Sequence, residues 1–522
     1  MKKILLYLFV CLPWIAWGQE KIMLIADPHV MASSLTDNGV AFNEMMAGQR
    51  KMLDVSQEAF TALIDTALQH KPALVLIPGD MTKDSEVASH RVVVEQLNRL
   101  QAAGIKTLVV PGNHDINGNA YAYQGADKIA VESLQHAAWE STYATVYDQA
   151  VAKDPNSHSY VAEPLAGVSV LGIDCANGTI GDNTLSWLLA QADEAHDKGN
   201  MIIAMSHWQL LEHVDNGGIV LESGRVQNAD VVRNALMAHG IHLVLTGHVH
   251  VNSISTYRDT IAMTGDSIME ISTGSVITYP CPYRWLTVAK DRSSIEVQTA
   301  YLTALTGQTD LTTYSRAWMK EHTENLLPTV AIQLFDKSAK VVEDIVTEKM
   351  AGNPMGAMVV MAIKQVLSQS NEQKVALVEK HMGSTLVDLY LLHSAANEPD
   401  YTAADSLAQA AYSGMDAMMR EVTDKALSSQ KSLQDNLVVA VQDANKPAIQ
   451  SLVEDRTHWA SQYSDCTDDL QGVWVISEPK VQSAVENVTN NPSDDAIYDL
   501  LGRRVAEMQQ GIYIQNGKKF IK

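Results

Sequence analysis

The sequence predicts an α/β fold up to about residue 300, followed by a mainly α-helical region and a small β-type tail. Short apolar segments alternate with helical segments from Lys21 onward, and several of the apolar segments end directly in polar residues. In an open α/β sheet, ligands bind at the carboxyl ends of the strands. Beyond residue 310, alanine, leucine, methionine, glutamine and lysine dominate, which favours helices.

Five predicted strands share one pattern, in which an apolar run ends in polar residues that can do chemistry. The runs are Lys21–Ala26, Ala73–Ile77, Leu108–Val110, Met201–Met205 and His242–Leu245. The polar residues that follow them include Asp27, His29, Asp80, Asn113, His114, Asp115, His207, His248 and His250. Three polar residues in a row after Pro111-Gly112 would make a poor core, so we interpret them as candidate site residues.

Helical patterns separate these strands at Ser56–His70, Ser85–Ala103, Asn183–His196 and Ala229–Ala238. Other strand-like segments follow one another without a helix, at Ser159–Val161, Val168–Ile173, Ser253–Tyr257, Thr260–Met263, Trp285–Ala289 and Ser294–Tyr301. Such runs indicate mixed or antiparallel pairing. A two-sheet sandwich with helices outside accommodates both patterns.

Residues 306–480 are predicted to form a helical domain. Its predicted helices are Val341–Lys349, Ala357–Ser368, Lys374–Glu379, Ser384–His393, Ala403–Ala426, Gln434–Asn445 and Ala448–Trp459. Breaks are predicted at Asn353-Pro354, Glu398-Pro399 and Lys446-Pro447. We interpret three of its histidines, His381, His393 and His458, as surface or packing residues because they show no metal-ligand spacing.

The composition is that of a soluble globular protein, with 46% hydrophobic and 19% charged residues in 522 positions. The formal net charge of −23 disfavours binding to a nucleic-acid polymer, whose phosphates it would repel. Small phosphate esters are not excluded, since bound metals reverse the charge inside a pocket.

The first 18 residues have the pattern of a secretory signal peptide. Lys2-Lys3 precedes an apolar run from Ile4 to Trp17, and small residues precede a predicted cut at Gln19. The alternative is a membrane anchor, but the run is short for a span of about 20 residues. Three cysteines then remain, Cys175, Cys281 and Cys466, and an odd number does not make a disulfide framework.

The polar residues at the strand ends fit a two-metal hydrolase. Cations about 3.5–4 Å apart need an anionic bridge, and neutral imidazole or amide ligands keep them electrophilic. Two carboxylates, one asparagine and four histidines supply this set. His248 and His250 flank Val249, so on an extended segment they point the same way, towards neighbouring metals.

The ordered motifs resemble those of the calcineurin-like metallophosphoesterase family. They are Asp27-Pro28-His29, Gly79-Asp80, Gly112-Asn113-His114-Asp115, Ser206-His207 and Gly247-His248-Val249-His250. The resemblance implies a four-layer αββα sandwich over residues 19–305, with two divalent ions (zinc, manganese or iron). It gives the first ion Asp27, His29 and His250, the second Asn113, His207 and His248, and the bridge Asp80.

In that family a hydroxide shared by the metals attacks phosphorus, so the resemblance implies the same reaction here. His114 would stabilise the developing charge or protonate the leaving oxygen, held by Asp115. A purple acid phosphatase site is disfavoured, because Met81-Thr82-Lys83-Asp84 stands where that group has a tyrosine ligand, and because His29 is present.

Residues that contact the substrate are harder to predict. His158 precedes a strand and is either a pocket residue or a structural one. Asn117, Tyr121 and Tyr123 follow the Asn-His-Asp motif on a predicted loop, where specificity often resides. We expect Asp174, at a strand end, to act in a turn, and we leave His213 unassigned.

The tail, residues 487–522, resembles a short form of the sorting domain of the type IX secretion pathway. The matching segments are Asn491-Pro492, Ile497–Arg503, Gly511–Tyr513 and Gly517–Lys519. The resemblance implies the outer-membrane secretion machinery as a partner. The alternative is a small β-hairpin of no special purpose.

Together these features predict an exported phosphoesterase, periplasmic, secreted or on the outer-membrane surface, which hydrolyses mono- or diesters of small molecules. The alternative is a metal-stabilised cell-surface binding or scaffold protein without turnover. His114→Ala separates the two, since only the enzyme would keep its metal and lose its rate.

Overall fold

A computed structural model describes residues 20–213, 224–259, 266–325, 327–395, 401–428, 430–451, 463–465, 471–475, 497–499, 512–515 and 518–521. The chain divides into two compact units, residues 1–475 and 476–522. The second unit contributes the last three described strands.

In chain order the strands are β1 (Glu20–Leu24), β2 (Leu74–Ile77), β3 (Lys106–Val109), β4 (Tyr121–Gln124), β5 (Asp127–Ala130), β6 (Ala150–Lys153), β7 (Tyr160–Leu165), β8 (Val168–Ile173), β9 (Met201–Ser206), β10 (Leu243–Thr246), β11 (Ser253–Arg258), β12 (Ser267–Ser272), β13 (Pro282–Val288), β14 (Ser294–Tyr301), β15 (Tyr463–Asp465), β16 (Gln471–Val475), β17 (Ile497–Asp499), β18 (Ile512–Gln515) and β19 (Lys518–Ile521). The helices are α1 (Val40–Met46), α2 (Ser56–His70), α3 (Val87–Ala102), α4 (Trp139–Thr142), α5 (Ala144–Tyr147), α6 (Asp182–Asp197), α7 (Ala229–Ala238), α8 (Leu311–Glu324), α9 (Leu327–Lys349), α10 (Gly356–Leu367), α11 (Asn371–Ala395), α12 (Tyr401–Leu427) and α13 (Lys431–Ser451).

Two large sheets form the first unit. One has the strand order β16-β14-β13-β1-β2-β3, and the other has the order β15-β11-β12-β10-β9-β8-β7-β6. β1, β2 and β3 pair in parallel, as do β8, β9, β10 and β12 in the second sheet. The outer strands pair antiparallel, as the consecutive strand-like segments predicted.

The inner strands are apolar because both of their faces are covered. Every residue of β2, β8, β9 and β10 is buried. α2 packs on α3, which packs on the first sheet, whereas α6 and α7 pack on the second. The Tyr160 hydroxyl of β7 donates to the Val109 carbonyl of β3 at 2.9 Å, which joins the two sheets. The predicted four-layer αββα sandwich is confirmed.

The strand predictions missed β12, which is the central parallel strand beside β10. The segment predicted instead, Thr260–Met263, lies outside the described residues. In SIMEIS the apolar residues are mixed with buried polar ones, and Glu270 is completely buried. A buried carboxylate breaks the apolar signature that identifies an inner strand.

The helical region differs from the prediction at two predicted interruptions. α11 is one helix through Met382 and Gly383, and α13 continues through Pro447 to Ser451. Met382, Val441 and Ile449 belong to the buried core of the helical region. Their burial offsets the local cost of glycine and proline, which is how tertiary packing overrides helix propensity.

The helical region also contacts the sandwich. Tyr314 of α8 donates from its hydroxyl to Asp54 Oδ2 at 3.3 Å, and Trp318 Nε1 donates to the Gln49 carbonyl at 3.2 Å. After α13 the chain returns to both sheets, since β15 pairs with β11 and β16 pairs with β14. Within the described ranges, none of the helices is long and apolar enough to cross a bilayer. In the second unit, β17, β18 and β19 pair antiparallel.

Candidate metal centre

The predicted ligands lie at the carboxyl ends of five parallel strands, which bring them to one edge of the sandwich. The loop after β1 carries Asp27 and His29, and the loop after β2 carries Asp80. Asn113 follows β3, His207 follows β9, and His248 and His250 follow β10. The structure therefore brings together side chains that are spread over more than two hundred positions.

Four of these side chains form a first group, consisting of Asp27, His29, Asp80 and His250, whose possible ligand atoms all lie within 4.8 Å of one another. His29 Nε2 is 3.0 Å from His250 Nε2 and 3.3 Å from Asp80 Oδ2. His250 Nε2 is 3.7 Å from Asp27 Oδ1.

A second group consists of Asp80, His207 and His248. His207 Nε2 lies 3.3 Å from Asp80 Oδ1 and 3.2 Å from His248 Nδ1. The Asn113 amide oxygen is 2.9 Å from the same His207 nitrogen and so joins this group. Asp80 belongs to both groups, with one carboxylate oxygen directed to each.

The donor set fits a pair of cations. Two ligands of one tetrahedral metal, each about 2.0–2.2 Å from it, lie roughly 3.3 Å apart, which is the spacing seen between these nitrogens and oxygens. Two neutral imidazoles such as those of His29 and His250 can form a hydrogen bond between their Nε2 atoms only if one of them carries its proton there. A cation between them would instead take both nitrogens as ligands.

The backbone at the ligands adopts a conformation that few residues with side chains adopt. The φ angle is 48° at Asp27, 40° at His29, 51° at Asp80, 71° at His248 and 61° at His250. Residues other than glycine rarely take positive φ, and such positions cluster at functional sites because the surrounding fold holds them there. Here the turns redirect side chains from the strand ends into a common point.

Close packing fixes the carboxylates of Asp80 and Asp27. A Cβ atom at Gly112 would lie 2.2 Å from Asp80 Oδ1, and one at Gly247 would lie 2.3 Å from Asp27 Oδ2. The Gly112 and Gly247 positions of the motifs are therefore glycine because the two carboxylates pass against their backbone. His248 is also held from the side, since the Trp208 ring stacks on it with centroids 3.7 Å apart.

Burial and neighbouring charges shift the pKa values of the ligands in the metal-free cluster. Burial lowers the pKa of His29 and His250 well below the usual value, and that of His248 to about 3, so these rings are neutral. Burial raises the pKa of Asp27 to about 8. For Asp80, burial acts upward, but His207 and His29 hold its pKa well below the usual range. A divalent cation would replace the protons that this cluster otherwise shares.

The structure corrects the expected partner of His114. His114 Nδ1 lies 2.8 Å from Asp84 Oδ1, and the His114 backbone N–H donates to Asp80 Oδ1 at 2.9 Å. Asp115 does not hold the ring. Its carboxylate accepts from the Gly112 N–H at 2.8 Å and from the Thr82 N–H at 2.9 Å, and so shapes the two loops.

The surroundings of Asp84 favour its ionised form. Burial favours its neutral form, but the hydrogen bond from His114 and the charge of Lys83 outweigh burial and lower its pKa to about 2. Lys83 forms ion pairs with Asp84 and, at 3.8 Å, with Glu86. Asp84 was missed as a site residue because its position, four residues past Asp80, matches no strand-end pattern.

His158 and Asp174 form a separate cluster with His136, whose possible ligand atoms lie within 4.8 Å of one another. His158 Nε2 is 3.1 Å from His136 Nδ1. Asp174 also acts in a turn, as expected, since its Oδ1 accepts the Ala176 N–H at 3.1 Å. His213, to which the sequence analysis gives no role, is buried, and its Nε2 lies 3.1 Å from Glu270 Oε1.

The remaining predicted residues are placed as follows. Asn117 Oδ1 accepts the His136 N–H, Tyr121 and Tyr123 lie on β4, Cys175 and Cys281 are buried thiols, His381 contacts Glu421, and His393 is buried. Cys466 and His458 lie outside the described residues.

The chain is similar to solved structures that include the following three. A dimetal phosphatase from Danio rerio is 13% identical, with 54% of this chain and 95% of that chain covered and a TM-score of 0.38. A purple acid phosphatase from yellow lupin (Lupinus luteus) is 11% identical, with 54% and 52% covered and a TM-score of 0.35. PhoD is 12% identical, with 56% and 70% covered and a TM-score of 0.35.

None of the curated proteins compared with the chain matches it. Residues 20–252 match the profile of a protein family described as calcineurin-like phosphoesterase. That segment contains every ligand of the two groups sharing Asp80, together with His114 and Asp84. The match supports the calcineurin-like phosphoesterase family for the part of the chain that carries the metal centre.

Proposed function

We propose that this protein is an exported, dinuclear metal-dependent phosphoesterase that hydrolyses mono- or diesters of small molecules. The observation that carries the proposal is the position of Asp80, whose carboxylate belongs to both ligand groups. A shared carboxylate is what two cations need in order to lie about 3.5–4 Å apart.

Asp27, His29, Asp80 and His250 would hold one ion. Asp80, Asn113, His207 and His248 would hold the other. When bound, the ions would supply an activated water and would neutralise charge on the phosphoryl oxygens. Mixed nitrogen and oxygen ligands are compatible with zinc, manganese or iron.

His114 is the proposed general acid. Its Nδ1 faces Asp84, so Nε2 is the ring nitrogen that can donate a proton to the leaving oxygen. The Asp84 carboxylate stabilises the protonated ring and fixes its orientation. The hydrogen bond from the His114 backbone to Asp80 keeps the ring beside the bridging carboxylate.

The test combines metal analysis with two substrates, p-nitrophenyl phosphate and bis(p-nitrophenyl) phosphate. We expect metal-loaded protein to hydrolyse at least one of them, to lose the activity with a chelator and to regain it on metal addition. His114→Ala should keep its metal and lose its rate. Metal-loaded protein that cleaves neither substrate, nor any member of a broad phosphate-ester panel, would overturn the proposal.

Export rests on the signal-type segment 1–18, and sorting across the outer membrane rests on residues 487–522. Mass spectrometry of the mature protein should find Gln19 at its N-terminus. Deletion of residues 487–522 should leave the protein in the periplasm. An unprocessed N-terminus would contradict export, and unchanged localisation after the deletion would contradict a sorting role for the tail.

A further inference from the structure

Two consecutive cationic side chains, Arg50 and Lys51, lie beside the metal centre on the loop between α1 and α2. Lys51 Nζ is 3.5 Å from His29 Nδ1, on the side of the ring away from the first ligand group. Lys51 is partly buried, and Arg50 is exposed. Neither residue belongs to a motif of the metal centre, and the proposed reaction assigns no task to either.

The positive charges of Arg50 and Lys51 affect the pKa values of histidines in the ligand groups. The positive charge of Lys51 adds to burial in lowering the pKa of His29, His248 and His250, and Arg50 acts in the same direction on His250. A chain with a formal net charge of −23 repels anions in general. Two cations beside the ligand cluster therefore mark a place where an anion is attracted.

Helices beyond the sandwich hold this loop in place. Arg50 Nη1 donates to the Tyr390 hydroxyl of α11, and the guanidinium carbon lies 5.6 Å from the centre of the Tyr390 ring. Trp318 Nε1 of α8 donates to the Gln49 carbonyl at 3.2 Å. Asn325 Nδ2 donates to the Ala47 carbonyl at 3.1 Å. Tyr390 is itself buried in a cluster with Met319.

Such support fixes Arg50 before any ligand arrives. A guanidinium has five N–H groups in a planar fork that suits phosphate. Among the described residues, the Tyr390 hydroxyl is the hydrogen-bond partner of Arg50, and it takes one N–H. Preorganisation of this kind increases affinity, because less side-chain freedom is lost on binding.

We propose that Arg50 and Lys51 form a second anion site, which binds an additional phosphate group of the substrate while the scissile phosphate lies at the metals. This inference rests on the proposed phosphoesterase function. It narrows the substrate class to small molecules that carry two phosphate groups. It also gives the helical region a task, which is to position Arg50 through Tyr390.

The first test is equilibrium binding. Propane-1,3-bisphosphonate and propylphosphonate share a carbon chain and differ in one phosphonate, and neither is hydrolysed. In calorimetric titrations of metal-loaded protein, we expect the bisphosphonate to bind at least about 10-fold more tightly. Arg50→Ala and Lys51→Gln should remove most of this difference and should leave propylphosphonate affinity within about 2-fold.

Tyr390→Phe should weaken bisphosphonate binding in the same direction but less, because the ring remains and only the hydroxyl is lost. In the double variant with Arg50→Ala, the Tyr390→Phe change should have no further effect, since it acts through Arg50. Arg99→Ala, which removes an exposed arginine paired with Asp65 on the neighbouring helix, is the matched control for net charge and should change neither affinity.

Metal content is measured for every variant, so that weaker phosphonate binding caused by loss of bound metal is recognised. Equal weakening of both phosphonates by Arg50→Ala, or equal affinity of the parent protein for both, would overturn the second anion site. Neither result touches the proposed function, which fails only if metal-loaded protein hydrolyses no phosphate ester. The control Arg99→Ala should hydrolyse p-nitrophenyl phosphate at the kcat of the parent protein, and a fall in its kcat would show that general charge, not the second anion site, is being measured.

Discussion

His114 has two separate attachments, and each serves a different purpose. Its backbone N–H donates to Asp80, which the two ligand groups share, whereas its ring faces Asp84. The ring is about one-third exposed, so a substrate can reach it. The Asp84 carboxylate fixes the orientation of the ring, so that Nε2 is the nitrogen available to donate a proton as a general acid.

Asp84→Asn should therefore lower kcat by about 10-fold without loss of metal, and His114→Ala should lower it by about 10²–10⁴-fold. Asp115→Asn should instead lower the free energy of unfolding by about 1–3 kcal/mol, since its carboxylate accepts buried backbone N–H groups. The measurements are kcat per metal-loaded molecule and urea unfolding. A larger kcat loss for Asp115→Asn than for Asp84→Asn would contradict this assignment.

Asp80 and His248 differ in how many ions they are expected to hold. Asp80→Ala should lose both ions, because its carboxylate is common to the two groups, whereas His248→Ala should lose one. Elemental analysis of purified variants gives the number of ions per chain directly. Loss of a single ion from Asp80→Ala would mean that the carboxylate does not bridge.

The seven proposed ligands were predictable because each follows an apolar strand and because the motifs occur in the family order. Asp84 and Lys51 were not predictable in this way. Both lie on loops, where positive-φ turns such as the one at Asp80 decide the direction of the side chains. No periodicity in sequence encodes that direction, so only the folded loop shows which charges meet the centre.

At the scale of elements, β12 ties together the strands that carry the second ligand group. Glu270 Oε2 accepts the N–H groups of Leu210 at 2.8 Å and Leu211 at 2.9 Å, just beyond His207. Glu270 Oε1 accepts the Thr246 hydroxyl at 2.9 Å, just before the loop of His248. One buried carboxylate thus fixes the ends of both β9 and β10.

Glu270→Gln should destabilise the protein by about 2–3 kcal/mol, because the amide group cannot accept all of these hydrogen bonds. It should also weaken the metal held by His207 and His248 more than the other ion. Chemical denaturation and competition with a chelator measure the two effects. Glu296→Gln, on an exposed position of β14, is the control and should change neither. If Glu270→Gln retained metal as well as the parent protein does, Glu270 would not be needed to position the ligands at the ends of β9 and β10.

The same residue helps to explain why the sequence predicts a sandwich but not the order of its strands. Alternating helices and apolar runs were enough for the two-layer β core and its covering helices. The inner strand β12 has the buried carboxyl group of Glu270 in its middle, and β15 and β16 come from beyond the helical region. Long-range pairing of this kind has no local signature in the sequence.

At the scale of the whole molecule, bound metal should stabilise the fold, since a ligand that binds only the native state adds RT ln(1 + [L]/Kd). That amounts to about 4 kcal/mol at a 1,000-fold excess over Kd. A chelator should lower the Tm of the parent protein, and it should leave the Tm of Asp80→Ala unchanged. An equal fall in Tm for both proteins would show that the chelator acts elsewhere.

The stability of the metal-free protein should decrease when the pH is lowered, because protonation of the buried His90 is unfavourable in the folded state. Burial lowers its pKa to about 4, and its Nε2 lies 2.8 Å from the Asp115 carbonyl while Nδ1 lies 2.8 Å from the Tyr143 hydroxyl. The unfolded state binds the proton first, at about 6.5. The contribution of neutral His90 to the free energy of unfolding is therefore fully present above pH 6.5. It is lost as the pH falls from 6.5 to 4, which lowers the free energy of unfolding by roughly 3 kcal/mol.

His90→Gln should flatten this part of the pH dependence in metal-free protein. Denaturant unfolding at pH 7 and pH 4.5 measures the difference. A parent protein and a variant with parallel pH curves would show that other groups govern acid stability.

The return of the chain to both sheets after α13 has a consequence for synthesis and for truncation. β15 and β16 pair with the edges of β11 and β14, which end about 205 and about 170 residues earlier in the chain, so the ribosome must finish the helices before either edge is covered. Until then, the borders of β11 and β14 offer unpaired backbone groups, which are templates for aggregation. A polypeptide that ends before residue 463 would keep all the proposed metal ligands, but the edges of β11 and β14 would be exposed. We therefore expect such a truncated protein to become insoluble before it loses its capacity to bind metal.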